Sequence, residues 1–508
     1  MTKFPVLPKI GFTDPRANVT IARLRCREFA NLSPVNVRIF IGLWVAMLGP
    51  DPMCWALGGS ADPGTEPPLQ KALNPVERQI TNNRGGHLLT NTGVWSPNSE
   101  WIVYDTRSTP AGDRFDGERI EIVNVRTGRT CTLYQAANGA FCGVATFHPR
   151  AERVICILGP EHPTSDWQYC AWHRQGVIVD VAQPGRALNL DARDLTAPLT
   201  PGALRGGSHV HVCAPSGDWV SFTYEDHLLA GFTDETDQHD INLRNVGVSV
   251  PTRRVKVAKD HPRNHNGEFF SVLVTRTVAN PRPGSDEINR ACEEGWVGTN
   301  GYLRSTGVRQ ARALAFQGQV LTQHGAVISE VFIVDLPDDL TIAGDGPLEG
   351  TPRRRPFPPR GTVQRRLTFT AARKYPGLQG PRHWLRSSPD GSRIAFLMRD
   401  DAAIVQLWTV SPNGGPMTQL SYNPHSVASA FTWSSDGRFI AHVMDNSVCV
   451  TEITSGLTHR LTPHAEDAVA PRPEACVFAP DGKQIAYVKP IHESGTVCNQ
   501  IFVVALTD

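Results

Sequence analysis

Five histidines stand at matched distances ahead of a recurring turn of Ser-Pro-Asp-Gly type. His383 lies five residues before Ser388, and His209 lies five before Ala214. His87 lies nine before Ser96, His425 nine before Ser434, and His211 three before Ala214. All these offsets are odd. Side chains on an extended strand alternate with a period of two, so the five rings are expected on one face. Neutral imidazoles converging from separate strands supply the nitrogens that a divalent transition metal needs, with one position left for water or substrate. On this reading His87, His209, His211, His383 and His425 hold one ion (Mn, Fe, Zn or Ni), and His265 is placed to join them. On the competing reading each ring only hydrogen-bonds water or nearby backbone.

The elements that must position these rings are strands. The turn recurs in "WSPNSEWIVY" (95–104), "FHPRAERVICI" (147–157), "CAPSGDWVSF" (213–222), "SSPDGSRIAF" (387–396), "WSSDGRFIAH" (433–442) and "FAPDGKQIAY" (478–487). Each copy puts turn-forming residues ahead of an alternating apolar run, the grammar of a hairpin. Third strands recur, as in "GVIVDV" (176–181) and "VQLWTV" (405–410), and so do closing strands, as in "RRLTF" (365–369) and "HRLTP" (459–463). The last three turns begin at 388, 434 and 479, a period of about 45 residues, which is that of a four-stranded propeller blade. One such sheet cannot bury both faces alone, so blades must stack around an axis. Six blades are explicit. A seventh is expected between residues 214 and 388, with 268–277 as its inner strand and 312–321 as its second. The chain ends without a closing strand for its last blade, and the spare copy is "VERQIT" (76–81). The expectation is an all-β fold, a seven-bladed β-propeller of four-stranded blades, closed by an N-terminal strand that completes the last blade.

Formal charge is +1, which gives no footprint for nucleic acid. The 44 glycines and 40 prolines suit many short strands and tight turns. Eleven cysteines show no zinc spacing and suggest no pairing. No phosphate-binding or dinucleotide loop is present, so no nucleotide cofactor is expected. No Gly-x-Ser-x-Gly elbow is present either, which removes a propeller-plus-hydrolase arrangement. Residues 1–75 read as an N-terminal extension. Arg38 precedes the apolar stretch 39–49, and Cys54 and Ala56 follow at the spacing of a cleavage site. That predicts export to the periplasm of a monomer without a membrane span, with the cytoplasm as the alternative.

The strings "HLLTNTGVWSPNSEWIVYDTR" (87–107), "GGSHVHVCAPSGDWVSFTYEDH" (206–227), "NHNGEFFSVLVTRTVANPRPGSDEI" (264–288) and "SEVFIVDLP" (329–337) resemble the uncharacterised bacterial TolB-like family typified by YidR. The "SPDG…IAF…QLW" grammar of 383–508 is similar to the TolB propeller more generally. More distantly the chain resembles oligogalacturonate lyase, which implies a seven-bladed fold and a divalent metal near the central channel. No motif carries that family's ligands over residue by residue.

Two functions follow. One is a binding module that takes a protein or oligosaccharide ligand at the channel mouth. The other is a metal-dependent enzyme on acidic sugars, in which the metal acidifies the proton beside a uronate carboxylate and a side chain abstracts it. His265 and Arg382 are the candidates for that catalytic role, and Glu225, Asp226, His227 and Glu268 are further acid–base groups. Residues 279–311 read as an insertion over one channel mouth, with a short helix from Ser285 to Glu294. The Pro- and Arg-rich loop at 345–364 reads as a solvated connection.

Overall fold

The computed structural model describes residues 76–506 apart from 84, 110, 111, 113, 475 and 494. The apolar stretch at 39–49, and with it the expectation of export, lies outside the described residues. Seven four-stranded antiparallel sheets follow one another along the chain. Their inner strands are Gly86–Leu88, Cys142–Phe147, Gly206–Cys213, Ile288–Trp296, Arg386–Ser387, Thr432–Trp433 and Cys476–Phe478. The seventh blade is completed from the other end of the chain. Val76–Gln79 pairs antiparallel with Thr496–Ala505, Val76 opposite Ala505 and Gln79 opposite Phe502. The molecule is the expected seven-bladed β-propeller, and this pairing covers the open edges of its first and last segments. Among the described residues no helix is long and apolar enough to cross a membrane.

Both faces of each blade are apolar because each is pressed between two neighbours. On the second strand of blade one, Val103 packs toward Val154 and Cys156 of blade two. Its neighbours Ile102 and Tyr104 face Val488 and Val503 of blade seven. Blades are also stitched together by tryptophans, two carried by turn motifs and one, Trp296, ending the inner strand of blade four. The indole of Trp95 donates to Val477 O (3.0 Å), that of Trp296 to Val212 O (3.0 Å) and that of Trp433 to Arg386 O (3.0 Å). Each spans from one blade to the blade before it.

The turns have the expected hydrogen bonds. In blade five Ser388 N donates to Arg393 O, Gly391 N donates to Ser388 O, and Gly391 takes φ +75°. Ser434 and Gly437 repeat this arrangement in blade six. Only glycine enters this left-handed region at no cost, which is why the motif ends in it; blade one uses Ser99 there, at φ +60°.

Blade four departs from the expected assignment. Residues 270–273 form the outer strand of blade three, not the inner strand of blade four. The inner strand of blade four is Ile288–Trp296, inside the stretch expected to be an insertion carrying a helix. Its sequence, "INRACEEGW", carries three charged side chains, and that hid a strand whose backbone is pinned by its neighbours. What remains of the insertion is the small hairpin that pairs Tyr302–Leu303 with Arg309–Gln310. The Pro- and Arg-rich loop is no free tether either. Arg354 pairs with Asp240 at 3.0 Å, Arg355 with Glu235 at 2.5 Å, and the fully buried Arg205 with Asp226 at 2.7 Å while donating to Thr351 O. It straps blade four to blade three.

Candidate functional site

Three consecutive inner strands carry a β-bulge at the same place. Val144, Val210 and Glu293 adopt φ +56°, +56° and +53°, and strand register shifts across each. A left-handed β-branched residue costs of order 1–2 kcal/mol, and here the neighbouring blades hold it. The bulge frees Val144 N to donate to Asp105 Oδ2 of blade one (3.0 Å), and it turns Glu293 O to accept from Leu385 N of blade five (3.1 Å).

The bulge at Val210 also breaks the alternation on which the histidine register rested. His209 lines the central cavity, whereas His211 turns away into the interface of blades two and three. There His211 Nε2 donates to Ser208 Oγ (3.1 Å), whose hydroxyl donates to Asp191 Oδ1 (3.0 Å). His211 is fully buried, and burial pushes it down to about 3. His87 lies between blades one and seven, with Nδ1 3.0 Å from Thr81 Oγ1 and its ring 4.6 Å from that of Tyr104. His383 donates through Nδ1 to Pro381 O (2.9 Å) and accepts at Nε2 from Leu397 N (3.1 Å), so both nitrogens are occupied by backbone. His425 is exposed in the loop after the outer strand of blade five, near Asp445. His265 lies in a separate cleft between blades two and three, where its backbone pairs with Arg193. The structure thus brings only His209 of these six to the central cavity. Among the described residues no group of three His, Cys, Asp or Glu is placed to hold a metal.

The central cavity, of about 600 Å³, is rimmed instead by cations and rings: Arg107, Arg174, Arg382, Tyr169 and Trp384 beside His209. They come from blades one, two, three and five. Arg107 is paired with Asp105 at 2.7 Å and Arg382 with Glu293 at 2.9 Å. Arg382, expected as a base, is a paired guanidinium that reaches over the Trp384 ring at 4.5 Å; such a group holds anions and takes up no proton. Among the described residues no carboxylate lies within ion-pair distance of Arg174, and the Tyr169 hydroxyl and Glu225 are the groups that favour its charge. It donates through Nε to Ala171 O (3.2 Å) and lies 5.9 Å from the Tyr169 ring, and burial lowers its pKa. Tyr169 is stacked on Phe115 of blade one, with centroids 4.4 Å apart, and Arg107 lies 4.7 Å over Phe115. The indole N–H of Trp384 is buried and makes no hydrogen bond.

Three guanidinium groups against the carboxylates of Asp105 and Glu474 leave the cavity lining with an excess of positive charge. His209 is held well below its ordinary pKa first by burial and then by Arg174, Arg244 and Arg382. One imidazole is too few ligands for a transition metal, and the guanidinium groups around it repel a divalent cation and favour an anion. The residues present therefore do not fit the metal that the lyase resemblance implies.

Arg107, Arg174, Tyr169 and Trp384 escaped the sequence reading because none lies on a repeated position. The signal for Tyr169 and Arg174 was the long excursion "EHPTSDWQYCAWHRQ" (161–175), rich in rings and basic groups, between two strands of blade two.

Residues 141–265 match the family model described as "Protein of unknown function (DUF3748)", a stretch that holds Tyr169, Arg174 and His209. The chain is 49% identical over 416 residues to the uncharacterized protein YidR of Escherichia coli (strain K12), covering 81% of this chain and 94% of that one. Among solved structures it is similar to an oligogalacturonate lyase in complex with manganese (11% identity, TM-score 0.47, 86% of this chain and 94% of that one). It is also similar to TolB from Acinetobacter baumannii (13% identity, TM-score 0.32, 80% of each chain). With its propeller closed and this length of shared sequence, the chain belongs to the family of YidR.

Proposed function

We propose that this propeller is a glycan-binding module that takes an acidic saccharide at the channel mouth without a metal. The observation that carries the reading is Arg174, a half-buried guanidinium with no carboxylate within ion-pair distance among the described residues, on the same cavity as neutral His209. An ionised carboxylate would replace the solvation that Arg174 has lost, by a charge-assisted hydrogen bond. Tyr169, Phe115 and Trp384 offer ring faces and edges for the apolar side of a sugar. β-Elimination gains no support from a metal seat, since among the described residues no group of three His, Cys, Asp or Glu adjoins the arginines. Export belongs to the same proposal and rests on Arg38 and the apolar stretch that follows it.

The test is retention of chelator-treated protein on immobilised oligogalacturonate and on the same chains with their carboxyl groups reduced to alcohols. Retention on the acidic chains alone is expected, and it should weaken with salt. Equal retention on both, or retention only after a divalent metal is restored, overturns the reading.

A further inference from the structure

A second cleft, of about 550 Å³, lies between blades two and three on the far side of the excursion that carries Tyr169 and Arg174. Its outer wall is the segment joining the last two strands of blade three. That segment folds back over blade two and is fixed there. Arg263 donates to Glu161 O (2.7 Å) and His162 O (2.9 Å), Asn189 Nδ2 donates to Asn266 O (3.2 Å), and Arg193 and His265 exchange backbone hydrogen bonds at 2.9 and 3.1 Å. Asn264 alone bonds Asp194, Asp260 and the backbone of Ala258 and Leu195. Such a wall is preformed, so little ordering is needed to bind against it.

The lining is unlike that of the channel mouth. Planar hydrogen-bonding groups dominate: Glu161, Gln175, Arg186, Asn189 and His265. Glu161 faces three guanidinium groups, Arg186, Arg193 and Arg263, of which the last two already donate to backbone carbonyls. At the floor, Arg193 Nε and His265 Nε2 are buried and make no hydrogen bond. Buried donors and acceptors without partners are rare in folded proteins and point to a water or a ligand group. Trp167 closes one end. One of its faces is stacked on His173 at 3.7 Å, and Arg193 and Arg263 each lie 5.5 Å from it. Every lining residue except Tyr134 falls within the 141–265 stretch that the family model matches.

From this we infer that the cleft is a second binding site, for an uncharged polyhydroxylated ligand, a short neutral saccharide. A vicinal diol both donates and accepts at each hydroxyl, which suits a lining of amides, a carboxylate, guanidinium groups and an imidazole better than an apolar ligand would. This inference stands apart from the channel-mouth reading, since it uses different residues and a ligand without charge.

The test is titration calorimetry of the full chain with cellotetraose, maltotetraose and tetra-N-acetylchitotetraose. Each is repeated with Glu161→Ala/Asn189→Ala and with Arg174→Ala. We expect binding of at least one of the three, weakened on the order of tenfold or more by the cleft double variant, about 1.4 kcal/mol. The same binding should be unchanged by Arg174→Ala and by raised salt. Absence of binding by all three sugars, or binding untouched by the cleft variant in protein whose thermal transition is unaltered, overturns the inference. Loss with Arg174→Ala would assign the sugar to the channel mouth instead.

Discussion

Leu397 N donates to Nε2 of His383 at 3.1 Å, across the turn between the first two strands of blade five. With Nδ1 already donating to Pro381 O, that ring is a bracket for backbone. Burial pushes its pKa down to about 4. Replacing it by alanine leaves a buried N–H and a carbonyl unpaired, which costs about 2–4 kcal/mol. His383→Ala should therefore lower the thermal midpoint by several degrees at neutral pH while leaving retention of acidic saccharide intact. Lost retention with an unchanged midpoint would contradict this assignment.

The same residue gives a pH signature. Its folded pKa lies below the unfolded value of 6.5. The stability it contributes is therefore present above pH 6.5 and lost as pH falls toward 4. The stability gap between wild type and His383→Ala, read by denaturant unfolding, should shrink by up to about 3 kcal/mol across that window. A gap that stays constant would show that His383 is not held neutral.

Gly176 sets the interface of blades two and three. A Cβ there would meet His211 Nε2 at 2.6 Å and Asp191 Oδ1 at 2.9 Å. Gly176→Ala should destabilise by about 1–3 kcal/mol through overpacking, and His211→Ala in the same chain should recover part of that loss. Simple additivity of the two changes would place His211 elsewhere.

Ring closure can be tested from the chain's end. Glu77 pairs with Lys489 at 3.0 Å and accepts from the Tyr487 hydroxyl, on the strand that completes blade seven. Removing residues 1–81 strips that strand, exposing Thr496–Ala505 as an edge. Compared with a chain that begins at residue 70, it should melt earlier and aggregate. Identical melting would mean that the closing strand contributes nothing.

How much was legible follows from what repeats. Ser388, Gly391 and Asp390 recur with their equivalents at a fixed period, and turn chemistry is local, so blades and closure could be read directly. Blade four could not. Its inner strand holds Glu293 and Glu294, and its hairpin replaces the usual turn, so neither alternation nor punctuation marks it. The site was hidden for a different reason. The odd spacing of His209 and His211 promised a shared face, but Val210 at φ +56° inserts one residue into the count. A bulge is dictated by neighbouring blades, not by the strand's own residues. Arg174 lies in an excursion between two strands of blade two that no repeat predicts, whereas Arg107 ends a regular strand.

The central claim is that Arg174 is the anion's seat. Titration calorimetry of chelator-treated protein with trigalacturonate measures it most directly, with wild type beside Arg174→Glu. The account predicts binding by wild type that weakens as salt is raised, and a loss of at least about tenfold with Arg174→Glu at an unchanged melting temperature. Equal affinity in the two proteins, or affinity that appears only when manganese is added, would contradict it.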